Sequence, residues 1–306
     1  MNIDSRLDPE IVAYLQKAQA TLSSAHSLSA VEFRKAYNAL RMAPAEIIPL
    51  YEVQNLVIPA PHGEIQARLY KPVQQDNLPL LVWYHGGGWV LGDLDSADMT
   101  CRDIANHSGC LVLSINYRLS PEHPFPAAYD DAVTALQYAY DNSAALGANT
   151  NKMAIGGDSA GANLAACGCL NNKSIQIKFQ LLIYPVIEAD FSNSSYIENE
   201  DGFGLTRNLM MWFWNQYIPQ QPDRSDTRVN PLTADLTNLP QAYILTVEFD
   251  PLRDEGLKYA SALKQAGVAV QSAHVSDTIH GFFTMPTKGG ALARKEAALR
   301  LRSALM

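Results

Sequence analysis

Apolar residues along the chain fall first into helix-spaced runs, then into alternating and continuous ones. Ile11, Val12, Leu15, Ala18 and Leu22 recur at helical spacing, with Asp8 as N-cap and Pro9 at the first helical position. Ser29 and Glu32 have the spacing of a capping box for a second helix carrying Val31, Phe33, Tyr37 and Leu40. Both helices precede any strand, so they are either core or a flap laid over something else. Pro44 and Pro49 break the pattern.

Strand signals follow. Tyr51 to Ile58 and Ile65 to Tyr70 alternate and read as antiparallel strands joined at Pro61-His-Gly63. Pro79 to Tyr84 and Cys110 to Ile115 are continuous apolar runs, as expected of strands buried on both faces. A helix is predicted from Ala127 to Tyr140, a strand from Met153 to Ile155, a helix from Ala160 to Cys169 and a strand from Gln180 to Tyr184. Residues 188–240 interrupt this alternation: Asp190 to Gly204 is turn-rich, and Thr206 to Tyr217 is an unusually aromatic helix, ended by prolines. A strand from Ala242 to Val247, a helix to about Ala266, a last strand from Val268 to Val275 and a closing helix from Ala291 to Leu305 restore it. Strand–helix alternation implies an α/β fold, with a mostly parallel central sheet covered on both faces.

Composition narrows the class. The 306 residues suffice for one large α/β domain, and 47% hydrophobic with 18% charged residues is ordinary for a globular protein. A net charge of −8 argues against nucleic acid and anionic membrane as partners. Cys101, Cys110, Cys167 and Cys169 form no metal-spaced pair and read as small buried hydrophobes in a reducing compartment. Neither a secretory leader nor an apolar stretch of membrane-spanning length is visible, which makes the cytoplasm the expected location.

The chemistry centres on Gly157-Asp-Ser-Ala-Gly161, between a predicted strand and a predicted helix. A strand turning sharply into a helix brings the residues two before and two after the turn together, so both must be glycine. The central Ser159 is pushed into a strained conformation beside the unpaired N–H groups of a helix N-terminus. A serine hydroxyl needs a base. In this setting acid and histidine should follow it in the chain, which leaves His274 and His280. His274 falls inside the last strand. His280 lies just beyond it, at the carboxyl edge where ligands gather in parallel sheets. Asp250, at the end of a buried strand, is favoured as the acid over Glu248, although Asp250-Pro251 would also cap a helix; Asp254 and Glu255 suit that helix's first turn. The Ala160 N–H and the run His85-Gly86-Gly87-Gly88 could supply an oxyanion hole. The rival phosphate-loop reading lacks a G-x-x-x-x-G-K-[ST] pattern, and no helix-forming run follows at once. Asp158 is left without a role.

Five motifs occur in order: His85-Gly-Gly-Gly-Trp89, Tyr117-Arg-Leu-Ser-Pro-Glu-His-Pro-Phe-Pro-Ala127, Gly157-Asp-Ser-Ala-Gly161, Asp250-Pro-Leu-Arg-Asp-Glu255 and His280-Gly-Phe282. Together they resemble the hormone-sensitive-lipase-like group of α/β-hydrolases, the bacterial family IV carboxylesterases, from about residue 50 to the C-terminus. The resemblance implies an α/β-hydrolase fold, with Ser159 as nucleophile, Asp250 as acid, His280 as base, and Gly87, Gly88 and Ala160 as oxyanion donors; His85 would shape the loop. It implies a helical cap from residues 1–48 and about 188–235 over a catalytic domain of 49–187 and 236–306. Trp89, Met210, Met211, Trp214 and Phe282 are the expected substrate-pocket residues. Ala162 stands where many relatives carry glycine, and Ser120 where alanine is frequent. The expected activity is hydrolysis of short- to medium-chain carboxylic esters with no metal or cofactor. Action on an amide or another acyl bond, and non-catalytic binding of a small ligand, are the alternatives. A homodimer through an edge strand near Val268 to Val275 is left open.

Overall fold

The structure is a computed structural model that describes residues 4–44, 46–172 and 174–306. Residues 1–3 and 45 of the expected cap lie outside the described residues. Two helices open the chain, α1 (Pro9–Ser24) and α2 (Ala30–Leu40). Asp8 caps α1 through Glu10, and Ser29 and Glu32 complete their capping box. Strands β1 (Glu52–Ala60), β2 (Gly63–Lys71) and β3 (Leu78–Tyr84) follow. The chain then alternates through α3 (Leu94–Ser108), β4 (Leu111–Asn116), α4 (Ala127–Asp141), α5 (Ser143–Leu146), β5 (Ala148–Asp158), α6 (Ala160–Asn171) and β6 (Ile177–Ile183). The interruption holds α7 (Ser194–Glu198) and α8 (Arg207–Tyr217). The final elements are β7 (Gln241–Phe249), α9 (Arg253–Gln265), β8 (Val270–Ile279) and α10 (Lys288–Leu305).

Among the described residues the strands form one eight-stranded sheet in the order β1-β2-β4-β3-β5-β6-β7-β8. Strand β2 is antiparallel to both its neighbours, and the other pairings are parallel. Strand β8 forms one edge.

Period-two alternation explains the layers. From β3, Leu80, Val82 and Tyr84 face the side packed by α4, α6 and α9, while Leu81 and Trp83 face the side packed by α3 and α10. Leu111, Leu113 and Ile115 of β4 join the first layer and Val112 the second. Both faces are therefore apolar, which is why these strands read as unbroken hydrophobic runs.

Three local readings change. Helix α3 follows the glycine run after only a short turn, starting from an Asp93–Ser96 capping box. Its sequence is polar enough that Ala97, Thr100, Cys101, Ile104 and Ala105 give its buried face a weak signal. Strand β8 runs on to Ile279, so His280 is the first residue beyond it. Helix α9 starts at Arg253, not Pro251, with Leu252 as its N-cap. The Asp250 side chain still serves this turn, accepting the Leu252 N–H at 2.8 Å.

Candidate active site

The tight turn between β5 and α6 has the crowding expected of it. A Cβ on Gly157 would lie 2.4 Å from the Gly161 carbonyl carbon, and one on Gly161 would lie 2.0 Å from the Tyr84 oxygen. Both positions exclude any side chain. Ser159, between them, has φ 55° and ψ −120°, a strained conformation for a residue with a Cβ. Its N–H bonds the Ile183 carbonyl at 2.9 Å, and its own carbonyl accepts from Asn163 and Val186. The neighbouring strand and the helix thus hold the turn in place.

The elements bring three side chains together from distant parts of the chain. His280 Nε2 lies 2.9 Å from Ser159 Oγ, and His280 Nδ1 lies 2.7 Å from Asp250 Oδ2. Asp250 is fully buried, and its second oxygen is occupied by the Leu252 N–H, so the carboxylate is fixed from both sides. The His280 ring rests on Tyr184, with centroids 4.4 Å apart. Glu248 belongs elsewhere: it bonds His274 Nε2 at 3.1 Å and pairs with Arg253. His274 also contacts Thr246 Oγ1 at 3.0 Å and ties β7 to β8.

The glycine run lies alongside. Gly87 and Gly88 have φ of 114° and 59°, conformations that favour glycine. Among the described residues the N–H groups of Gly87, Gly88 and Ala160 make no hydrogen bond. The loop around them is well anchored. Tyr117 donates to the His85 carbonyl at 2.7 Å, and His85 Nδ1 bonds the Gly86 carbonyl at 2.8 Å. Burial holds His85 below its ordinary pKa, in its neutral form. From the other side, Arg34 of α2 donates to the carbonyls of Val90 and Ser120. Asp158 accepts the Gly86 N–H at 3.0 Å. Burial pushes the Asp158 carboxyl up to about 6, against the opposing pull of that N–H and of His280.

A cavity of about 160 Å³ opens above Ser159 and His280. Its walls include Tyr14, Phe33 and Tyr37 from the first two helices, Leu209, Met210 and Phe213 from α8, and Met285 after β8. Of the expected pocket residues only Met210 lines it. Trp89 is fully buried, stacked on Tyr217 at 4.3 Å and edge-on to Trp214 at 5.0 Å, so these rings form a block behind the wall. Met211 points to solvent, and Phe282 is buried in the layer shared with α10. Rotation explains Met211: residues 209, 210 and 213 share one stripe of α8, and 211 lies outside it, whereas Trp214, one turn from Met210, is taken up by its packing on Trp89. Phe33, Tyr37 and Tyr14 were detectable only as helix-face residues; which surface they face depends on docking.

A serine at a strained strand-to-helix turn, followed in chain order by its acid and histidine across a mostly parallel sheet, defines an α/β-hydrolase. The family model described as alpha/beta hydrolase fold matches residues 81–284. Carboxylesterase NlhH of Mycobacterium tuberculosis is 37% identical over 308 residues, covering 96% of this chain and 95% of its own length. An arylesterase of Saccharolobus solfataricus is 34% identical over 285 residues, covering 92% and 93%. A solved structure of a hyperthermophilic esterase from the archaeon Pyrobaculum calidifontis superimposes with TM-score 0.92 at 37% identity, covering 97% of this chain and 98% of that one. The chain belongs to the hormone-sensitive-lipase-like carboxylesterases of the α/β-hydrolase family. Among its described residues no helix is long and apolar enough to cross a membrane.

Proposed function

We propose that this carboxylic ester hydrolase works through an acyl-enzyme on Ser159 and takes short- to medium-chain esters. His280 Nε2 accepts the Ser159 proton as Oγ attacks the ester carbonyl carbon. The charge that develops on the carbonyl oxygen is met by the N–H groups of Gly87, Gly88 and Ala160. Asp250 holds His280 in the tautomer with hydrogen on Nδ1 and stabilises the imidazolium. The imidazolium then protonates the departing alkoxide, leaving the acyl group on Oγ. Water, deprotonated by His280, attacks the acyl carbon, and Ser159 leaves with the proton returned. The observation that carries this reading is the 2.9 Å and 2.7 Å relay from Ser159 through His280 to Asp250, lying under a cavity.

Residues 1–48 and about 188–235 are proposed as a cap over the catalytic portion. In support, α1, α2 and α8 supply about half of the apolar cavity wall, Phe33, Tyr37, Met210 and Phe213 among it. A cavity of about 160 Å³ suits a small acyl or alcohol group better than a long chain. The test is turnover of a p-nitrophenyl ester series from acetate to palmitate, with a fluorophosphonate probe mapped to its residue. Labelling away from Ser159, or a best substrate beyond about ten carbons, would contradict the proposal. A matched anilide run alongside measures any amide cleavage.

A further inference from the structure

We propose that Asp158 is the positioning residue of the oxyanion loop: its carboxylate takes the Gly86 N–H and so sets the direction of the next two N–H groups, those of Gly87 and Gly88. The inference rests on the acyl-enzyme reading above. Its first support is placement. Asp158 ends β5 immediately before the nucleophile, and in the neighbouring β3 Tyr84 pairs with Gly157, so the Asp158 side chain emerges opposite the start of the glycine run. The second is fit. Asp158 Oδ1 is 3.0 Å from the Gly86 nitrogen, and a Cβ on Gly86 would lie 2.3 Å from Oδ2, so the loop backbone is drawn against the carboxyl with no room for a side chain. Third, the other anchors hold carbonyls: Tyr117 and Arg34 act on those of His85, Val90 and Ser120, and within the glycine segment His85 Nδ1 holds that of Gly86 and the N–H groups of Val90 and Leu91 hold that of Gly87. Asp158 is the side chain that grips the N–H of the glycine segment itself.

A bond to a carboxylate is shorter and stronger than one to a neutral acid. The positioning bond therefore weakens as Asp158 takes up a proton, near pH 6. The titratable and charged groups around it are His280 after β8, His85 in the loop, Tyr14 of α1, Tyr37 of α2 with Arg41 just beyond it, Cys101 of α3, Tyr117 after β4 and Tyr184 after β6. The tyrosines and Cys101 are neutral at that pH and burial keeps His85 neutral, so the neighbouring charge that opposes the rise is that of His280.

The experiment compares wild type, Asp158→Ala and Asp158→Asn on p-nitrophenyl acetate, with rates normalised to the Ser159 labelled by a fluorophosphonate. Normalisation removes any loss of folded enzyme. Alanine cannot accept the N–H: kcat should fall at least about tenfold with KM moving less than about threefold, because the donors act mainly on the transition state. The asparagine amide oxygen can accept it: Asp158→Asn should recover most of kcat and lose one ionisation from the acid limb of the kcat–pH profile. Alanine within about threefold of wild type, or asparagine as impaired as alanine, overturns the proposal. Should Asp158→Ala not fold, Asp158→Asn decides: a tenfold loss of kcat or an unchanged acid limb overturns it. Failure of wild type to label at Ser159 overturns the acyl-enzyme reading and this inference with it; normal labelling with any of the other failures overturns this inference alone.

Discussion

The Phe213 ring occupies the space that a side chain on Gly88 would need: a Cβ there would lie 2.3 Å from the ring. Gly88 has φ 59°, and Phe213 belongs to α8, so the glycine run and the aromatic helix are packed as one unit. Gly88→Ala is expected to lower kcat about 10²–10³-fold, the cost of misplacing an oxyanion donor. Removing the obstructing ring should restore part of that loss. A double-mutant cycle of Gly88→Ala with Phe213→Ala, read in kcat/KM, checks the coupling; strict additivity would separate the two sites.

The relay makes a sharper prediction for its three members. Ser159→Ala and His280→Ala should each lower kcat by at least about 10⁴-fold. Asp250→Asn keeps the shape but favours the wrong His280 tautomer, and should cost about 10³–10⁴-fold. The effects should not add, because the three act as a unit. Ester turnover by the single and double variants measures this.

Chain-length preference should respond to Met210 and not to Trp214. Met210 lines the cavity, while Trp214 is packed against Trp89. Met210→Trp should reduce kcat/KM for octanoate far more than for acetate. Trp214→Phe should lower stability with little change in the octanoate-to-acetate ratio.

Arg294 links stability to the site. It is buried in α10, paired with Asp103, and donates to the carbonyls of Phe283 and Met285 in the segment just after His280. Arg294→Met leaves the buried Asp103 charge and two carbonyls without a partner, at a cost of about 3–5 kcal/mol. Urea unfolding of Arg294→Met, and of Arg294→Met with Asp103→Asn, checks it: the double variant should recover part of the loss.

Glu255 sets a pH dependence of stability. It is buried in the first turn of α9, with Oε1 accepting the Ile187 N–H and Oε2 without a partner among the described residues. Burial raises its pKa well above 4.5, so the folded state holds a proton that the unfolded chain releases. The sign follows from that. This contribution is fully present below about 4.5, where both states are protonated, and declines as pH rises toward the folded pKa. Glu255→Gln carries no proton to lose. Its Tm should match wild type near pH 4 and exceed it by about 2 °C or more near pH 8. A gap that narrows with rising pH would contradict the assignment.

A mostly parallel sheet, the glycine-flanked turn and the chain order Ser159, Asp250, His280 were legible without coordinates. Strands buried on both faces must be continuously apolar, as Leu80 to Tyr84 are, and a turn as tight as Gly157 to Gly161 has room for nothing but glycine at its flanks. The positions of Asp250 and His280 were readable because parallel strands collect their C-terminal ends at one edge. Packing between distant segments was not readable. Nothing local shows that Phe33 and Tyr37 face the site, that Trp89 stacks away from it on Tyr217, or that Asp158 holds the Gly86 N–H. Periodicity tells which residues share a face, but not which surface that face meets. Helix docking chose the cavity wall, and the alignment of β5 with β3 brought Asp158 to the glycine run.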